Sequence, residues 1–538
     1  MNKKSLRIKI SPLASDYIYA YDKVAEFFNG DFRNLEAFQN QTERVRSHDV
    51  DRESLADVLL KQNRGYGCGN ETEKNIDRLT QGHACAVLTG QQVGLFSGPL
   101  YTIYKSLAAI KLAEYLNQNL SGCYVPVFWL ASDDHDFAEI DHINLLDEDN
   151  QIEKIQYKSP LTHHKIPASK WMLNSEISNC IQRLHGLTRN SEFKPNILLH
   201  LSDAYQTNLS FAEAFARWMT HLFKSYGLVF VDASHPDLKK LGKKVFADEI
   251  AEHSPSTKQA LETSDKLKQA GYHTQIQLHE GIFNLFLAEK ERQAIRLKGD
   301  DFFIKEADQT YKKSELLDLL DEKPEMFSPN VLLRPIYQDA LFPTVAYVGG
   351  PGEIAYFAQM KGVYESFGLS MPVIYPRKTA TLIEKNINNV LETYDINIRD
   401  IWEDADKIFS ETVKKQIPAS VDEIFRNVSS RIGQEFQSIK QEILTFDSTL
   451  EKSADLASRK MNQQLKFLEE KILRAAKKRN KTVIQQLHKT KNNLYPGNHL
   501  QERVFNIVPF LIKYDFTILD KLYKEIDMEN YDHQVIKI

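Results

Sequence analysis

Over the first 380 residues, short unbroken apolar runs alternate with stretches in which apolar residues recur every three or four positions. The runs are ACAVLT (84–89), VPVFWLA (125–131), GLVFVD (227–232), TVAYVGG (344–350) and MPVIYP (371–376). Apolar runs this short, with no polar alternation, are strands covered on both faces. Between the first two lies PLYTIYKSLAAIKLAEYL, with Pro99 at a helix start and Ile103, Leu107, Ile110 and Tyr115 on one side. Residues 211–224 precede the third run in the same way, and a helix to about residue 367 separates the last two. Five buried strands spaced by helices predict an α/β, doubly wound, parallel Rossmann-like core.

Two insertions interrupt that rhythm. Residues 150–205 form the first. In the second, 255–335, QIQLHEGIFNLFLAEKERQAIRLKGDDFFIKE alternates with period two around turn residues, as antiparallel strands do. The core is thus expected in three parts, 81–149, 206–254 and 336–380, preceded by a helical lead-in over 1–80. Beyond it, residues 381–495 are rich in helix formers. Phe425, Val428, Ile432, Phe436, Ile439, Ile443, Phe446, Leu450, Ala454, Ala457, Met461, Leu465, Leu468 and Ile472 recur in steps of three and four, the seam of a coiled coil. No proline or glycine interrupts 434–495. The pattern permits one long helix, or two antiparallel helices with a polar turn near residues 477–481. A tail, 496–538, is expected to pack back on the core.

A chain of 538 residues with 42% hydrophobic and 26% charged residues can bury a core without staples. Its net charge of -5 argues against nucleic acid as a partner. The basic residues Lys471, Arg474, Lys477, Lys478, Arg479, Lys481, Lys489 and Lys491 nevertheless leave an RNA-binding helix as one alternative. No run of about 18 apolar residues predicts a membrane span, and the N-terminus has no signal-peptide core, so a cytoplasmic protein is expected. Cys68, Cys85, Cys123 and Cys180 stand too far apart for a zinc site by spacing, and no metal-binding set is expected.

In a parallel sheet, ligands collect at the carboxyl ends of the strands. Four polar clusters fall there. TGQQVGLFSGPLYTIYK offers Gln91, Gln92, Tyr101 and Lys105 beside a glycine loop that suits either a phosphate or a tight turn. ASDDHDFAEI places Asp133, Asp134, His135 and Asp136 directly after a strand. His135 there suits a general base, and the carboxylates suit an ammonium or Mg²⁺, with a solvated acidic loop as the alternative. In YVGGPGEIAYFAQ the amides around Gly350 and Gly352 suit an anion nest, with Glu353 facing the pocket or capping the helix. Arg377 and Lys378 follow the last strand as two cations for a phosphate or a dicarboxylate. Gln501, Glu502 and Arg503, in HLQER, are placed to return an arginine to the same site.

These motifs, together with RPIYQDALFPTVAYVGGPGEIAYFAQMKGVYESFG and HLQERVFN, resemble the bacillithiol biosynthesis cysteine-adding enzymes, the BshC family, over most of the chain. The resemblance implies a core similar to class I aminoacyl-tRNA synthetases, a coiled coil that makes a homodimer, and a ligase that adds L-cysteine to the amine of glucosaminyl-malate. A carboxylate is a poor electrophile, so ATP, with Mg²⁺ as a possible companion, is implied by that reaction. His135 or Asp134, with Asp136 beside them, would take the amine's proton, and the amides around Gly350 and Gly352 would face the developing negative charge. Arg377 and Lys378 would balance phosphate or malate. The synthetase HIGH and KMSKS signatures are absent. Another nucleotidyl or acyl transferase on the same core is the competing enzyme.

Overall fold

The computed structural model describes residues 5–159, 165–279, 281–288, 291–304, 307–415, 419–479 and 481–538. The chain divides into two compact units, 1–381 with 501–536, and 382–500 with 537–538.

Each apolar run in the first unit is a strand. β1 spans Ala84–Gln91, helix α1 follows at Leu100–Asn119, and β2 is Cys123–Leu130. Helix α2, Phe211–Phe223, leads into β3, Val229–Asp232; β4 is Thr344–Gly349, helix α3 is Pro351–Phe357 and β5 is Val373–Pro376. All pairings are parallel and the spatial order is β5-β4-β1-β2-β3. That is the order of a Rossmann half-turn on each side of β1. Each of these strands is buried along nearly its whole length, and partly exposed polar residues return at carboxyl ends such as Gln91 and Asp232. Helix α1 is buried nearly all round, Lys105 included, so it is a core helix and not an amphipathic cover.

The 255–335 segment carries a five-stranded antiparallel sheet built from Ile282–Ala288, Arg292–Lys298, Asp301–Ile304, Gln309–Tyr311 and Phe327–Pro329. Residues 150–205 supply a strand of a two-stranded hairpin, Ile152–Gln156 against His142–Leu146, and two helices, Glu176–Leu187 and Lys194–Ala204. The returning tail adds short helices, among them Gln501–Val504, and an edge pairing of Ser5 and Leu6 with Gln534 and His533.

In the second unit, α4 (Ala419–Phe446) and α5 (Glu451–Arg479) form an antiparallel pair, and α6 (Lys481–Leu494) follows. The reversal comes at Asp447 and the short turn Ser448–Leu450, not near 477–481, where α5 continues to Arg479; Asn480 lies outside the described residues. Asp447 makes the turn without glycine or proline. Its carboxylate accepts from Thr449 N–H (2.9 Å) and Thr449 Oγ1 (2.8 Å), ending one helix and capping the next. Lys440 then reaches across to Asp455 (2.7 Å) and Glu451 (3.3 Å).

Candidate active site

β1 and β4 are neighbours in the sheet, but the strands that follow them lie on opposite sides. This is the topological switch point, where the loops after the two strands diverge and leave a crevice. A cavity of about 630 Å³ opens there, lined by Gln91 and Gln92 after β1, Ala131 after β2, Gly350 and Glu353 after β4 and Arg377 after β5. Tyr101 and Lys105 reach it from α1, Arg503 from the returning tail, and Gln275 and Gln277 from the second insertion.

Most of the charge at this cavity is locked in pairs. Lys105 donates to Gly90 O (2.8 Å) and Gln91 Oε1 (3.0 Å) and lies 2.5 Å from Glu353 Oε2. Burial by itself would raise the Glu353 carboxyl, but Lys105, the Gly350 N–H and the Tyr347 hydroxyl outweigh it and hold Glu353 ionised. On the other side Arg377 donates to Glu502 Oε1 (2.7 Å), a carboxylate with no exposed surface whose second oxygen accepts from Ala380 N–H (3.0 Å). Burial opposes the charge of Arg377, and Glu502 more than restores it. Two cations are left over. Arg334 spends its guanidinium on the neutral Gln338 Oε1 (2.9 Å) and Tyr356 OH (2.7 Å), and Arg503 stands exposed at the rim. A cavity with an ion pair on each side and two surplus guanidinium groups has the charge to suit a polyanion, either phosphate or dicarboxylate.

A second cavity, of about 360 Å³, adjoins the first, and the two share Trp129, Ala131, Val331 and Arg334. Asp133 and Asp134 enter it from the loop after β2, Arg292 and Phe286 from the insertion sheet. Asp133 is neutralised by the buried Lys239 (2.5 Å). Asp134 accepts from Gln92 Nε2 (2.7 Å) and from His135 N–H (2.7 Å), so Gln92 ties the two cavities together. Arg292, 7% exposed in its side chain, donates to Ser328 Oγ (3.0 Å) and Pro329 O (2.5 Å) and lies over the Phe286 ring.

Gln91, Gln92, Tyr101, Lys105, Gly350, Gly352, Glu353, Arg377 and Arg503 therefore converge on one cavity, and Asp133 and Asp134 on its neighbour. Four expectations are corrected. Lys378 turns away from Arg377, because successive side chains of an extended segment point to opposite sides. Its ammonium reaches Asn530 O (3.2 Å) and the Tyr531 ring (3.7 Å to the centroid), and lines neither cavity. Asp136 is exposed and lines neither. The anion nest loses its first amides: the Gly350 N–H is taken by Glu353 and Pro351 has none, which leaves Gly352. Gly350 is small for another reason, since a Cβ there would stand 3.0 Å from Arg377 Nε. His135 is not disposed as a base. Its Nδ1 faces Arg292 Nη1 at 3.3 Å, and an arginine can only donate, so Nδ1 accepts and the proton sits on Nε2. Burial, and then Arg292, push this imidazole further toward its neutral form.

The glycine loop resolves as a turn. Phe96, Ser97 and Gly98 all have positive φ, and Asn506 clamps them through Phe96 O (2.8 Å) and Gly98 O (2.6 Å). Arg334, Arg292 and Lys239 were not singled out from the sequence. For Arg334 the one signal was its charge inside the largely apolar VLLRPIYQDALFPTVAYV, whereas Lys239 and Arg292 lie in charged stretches that hide them.

Residues 1–378 match the family model described as bacillithiol biosynthesis BshC, N-terminal Rossmann-like domain, and 380–538 match its C-terminal coiled-coil domain. The chain belongs to the BshC family. Relatives named "Putative cysteine ligase BshC" include one from Salinibacter ruber, 36% identical, covering 97% of this chain and 95% of the relative. Another, from Koribacter versatilis, is 34% identical over 98% and 97%. The Bacillus cytotoxicus member is 28% identical over the full length of both. A solved Campylobacter jejuni chain described as a "putative arginyl t-RNA synthetase" aligns at 11% identity with a TM-score of 0.21, covering 88% of this chain and 98% of that one, too slight a likeness to carry an argument.

Proposed function

We propose that this BshC-family chain is a cytoplasmic ligase that joins the carboxyl of L-cysteine to the amine of glucosaminyl-malate, with ATP activating the carboxylate. The observation that carries the reading is the charge balance at the switch point. Lys105–Glu353 and Arg377–Glu502 cancel, and Arg334 and Arg503 remain for the anionic groups of the reactants. The size and surplus positive charge of the larger cavity suit a nucleotide's phosphates as well as a malate dicarboxylate. When bound, ATP supplies a good leaving group on the cysteine carboxyl, and any Mg²⁺ enters with its phosphates. Among the described residues no group of three or more His, Cys, Asp or Glu side chains is placed to hold a metal ion by itself.

The chain's own contribution is to hold the reactants in place. Arg334, on the wall shared by the two cavities, is placed to hold the carboxyl end of one reactant against the other. The test is to incubate the purified chain with cysteine, glucosaminyl-malate and Mg·ATP and look by mass spectrometry for the amide. The reading requires the amide with wild type and at least a hundredfold slower formation with Arg334→Gln; equal rates would contradict it.

We infer also that the chain works as a homodimer through the helical hairpin. Phe425, Ile432, Phe436, Ile443 and Leu465 are half-buried within it, whereas Ile424, Ile439, Leu456, Phe467 and Leu468 are about half exposed and Phe446 is 90% exposed. A second apolar stripe of that extent is what a second copy would cover. No helix among the described residues is long and apolar enough to cross a membrane.

A further inference from the structure

We propose that the smaller cavity is the amino-acid subsite: it takes the free α-amino acid as a zwitterion, Asp134 binding its ammonium and the Arg292 and Arg334 guanidinium groups its carboxylate. The assignment rests on the ligase reading above and divides that site between its two organic substrates.

Charge comes first. With Asp133 cancelled by Lys239, the cavity presents one carboxylate, Asp134, and two guanidinium groups, Arg292 at one wall and Arg334 at the other. Asp134 is fixed by Gln92 and the His135 N–H, and lies 3.9 Å from Arg292. A bipolar cavity of this kind pairs with a molecule carrying both charges close together. The dicarboxylate partner, with an excess of negative charge, is matched by the larger cavity, where both leftover charges are positive. Size agrees: about 360 Å³ admits an amino acid with its waters, against about 630 Å³ next door.

The rest of the wall is mostly apolar. Phe286, Pro329 and Val331 carry no polar side-chain group, Trp129 adds only an indole N–H donor, and Asn330 has its Oδ1 taken by Leu332 and Leu333 N–H and one Nδ2 hydrogen by Asn284. A thiol enters such a lining readily, while a serine hydroxyl gives up more hydration than the few donors there return. Cysteine is thereby selected with no zinc. The Arg334 wall, shared with the larger cavity, places the amino acid's carboxyl at the junction where the second substrate's amine arrives. The ammonium held on Asp134 stays protonated and does not compete as nucleophile.

Isothermal titration of the full chain with L-cysteine, L-serine and glucosaminyl-malate, each in the presence of a non-hydrolysable ATP analogue, tests this. Asp134→Asn, at a partly exposed side chain, and Arg292→Gln are each checked for folding by circular dichroism. Expected is cysteine binding weakened at least tenfold by Asp134→Asn and by any folded Arg292→Gln protein, glucosaminyl-malate binding within twofold of wild type, and serine at least tenfold weaker than cysteine on wild type. Cysteine affinity unchanged in Asp134→Asn, no cysteine binding by wild type, or loss of glucosaminyl-malate binding instead would each overturn the assignment. Binding through Asp134 with no amide formed in turnover would leave the subsite standing and remove the ligase reading.

Discussion

The two units carry opposite minorities, one buried and one exposed. In the first, charged side chains are the buried few, and those at the switch point are matched: Lys105 with Glu353, Arg377 with Glu502, Lys239 with Asp133. In the second, apolar side chains are the exposed few, from Ile424 to Leu468 along the hairpin. A buried ion costs several kcal/mol to desolvate unless it is paired, so a cluster of such pairs at one strand edge is not a packing accident. An exposed isoleucine costs little alone, and only a continuous stripe points to a partner. The informative residues are therefore those that contradict their surroundings, and they differ in kind between the units.

The largest effect expected from breaking this contrast is at Glu502. Glu502→Ala leaves Arg377 buried without its counter-ion and should lower the unfolding free energy by about 3–5 kcal/mol in urea titrations. A loss below about 1 kcal/mol would mean the pair is solvated. Next comes His533, buried against Thr381 (2.8 Å), whose imidazole burial pushes down to about 4. The unfolded imidazole takes its proton near pH 6.5, so His533 stabilises the fold fully above that pH and loses its contribution as pH falls toward 4. This amounts to on the order of 3 kcal/mol. Asp339, raised to about 6 mainly by burial, works in the opposite sense between about pH 4 and 6. The clean measurement is therefore the difference between wild type and His533→Gln: stability measured at pH 7.5 and at pH 4 should fall less in the variant. Arg334→Gln sharpens the contrast inside the site, with roughly a hundredfold lower kcat/KM on folded protein. The smallest effect on folding is expected in the hairpin. Ile439→Asp should change unfolding by less than about 0.5 kcal/mol, yet shift the chain toward monomer in light scattering; unchanged mass would detach the exposed stripe from self-association.

How far these features could be read in the sequence follows the same division. The five strands were legible because an all-buried strand needs an unbroken apolar run, and the cavity residues at their ends were legible because polarity returns there abruptly, as at Gln91 and Asp133. The 477–481 turn was misplaced because Asp447 and Thr449 stop a helix by side-chain hydrogen bonding, a weaker signal than glycine or proline. Arg377 and Lys378 looked equivalent as neighbours in sequence, and only the alternation of an extended segment separates them. Arg292 and Arg334 carry no local motif at all. Their meaning comes from being brought, by an insertion sheet and a short helix, to one cavity, with Arg334 on the wall it shares with its neighbour.

The central claim, a cysteine ligase with its anion site at the β1/β4 switch point, is tested most directly in cells lacking this gene. The small-thiol pool is measured by mass spectrometry after complementation with wild type or with Arg334→Gln. The account predicts that the cysteinyl product is absent and glucosaminyl-malate accumulates, and that wild type restores the product while Arg334→Gln does not. An unchanged pool in cells with no second copy, or full rescue by Arg334→Gln expressed at wild-type level, would contradict it.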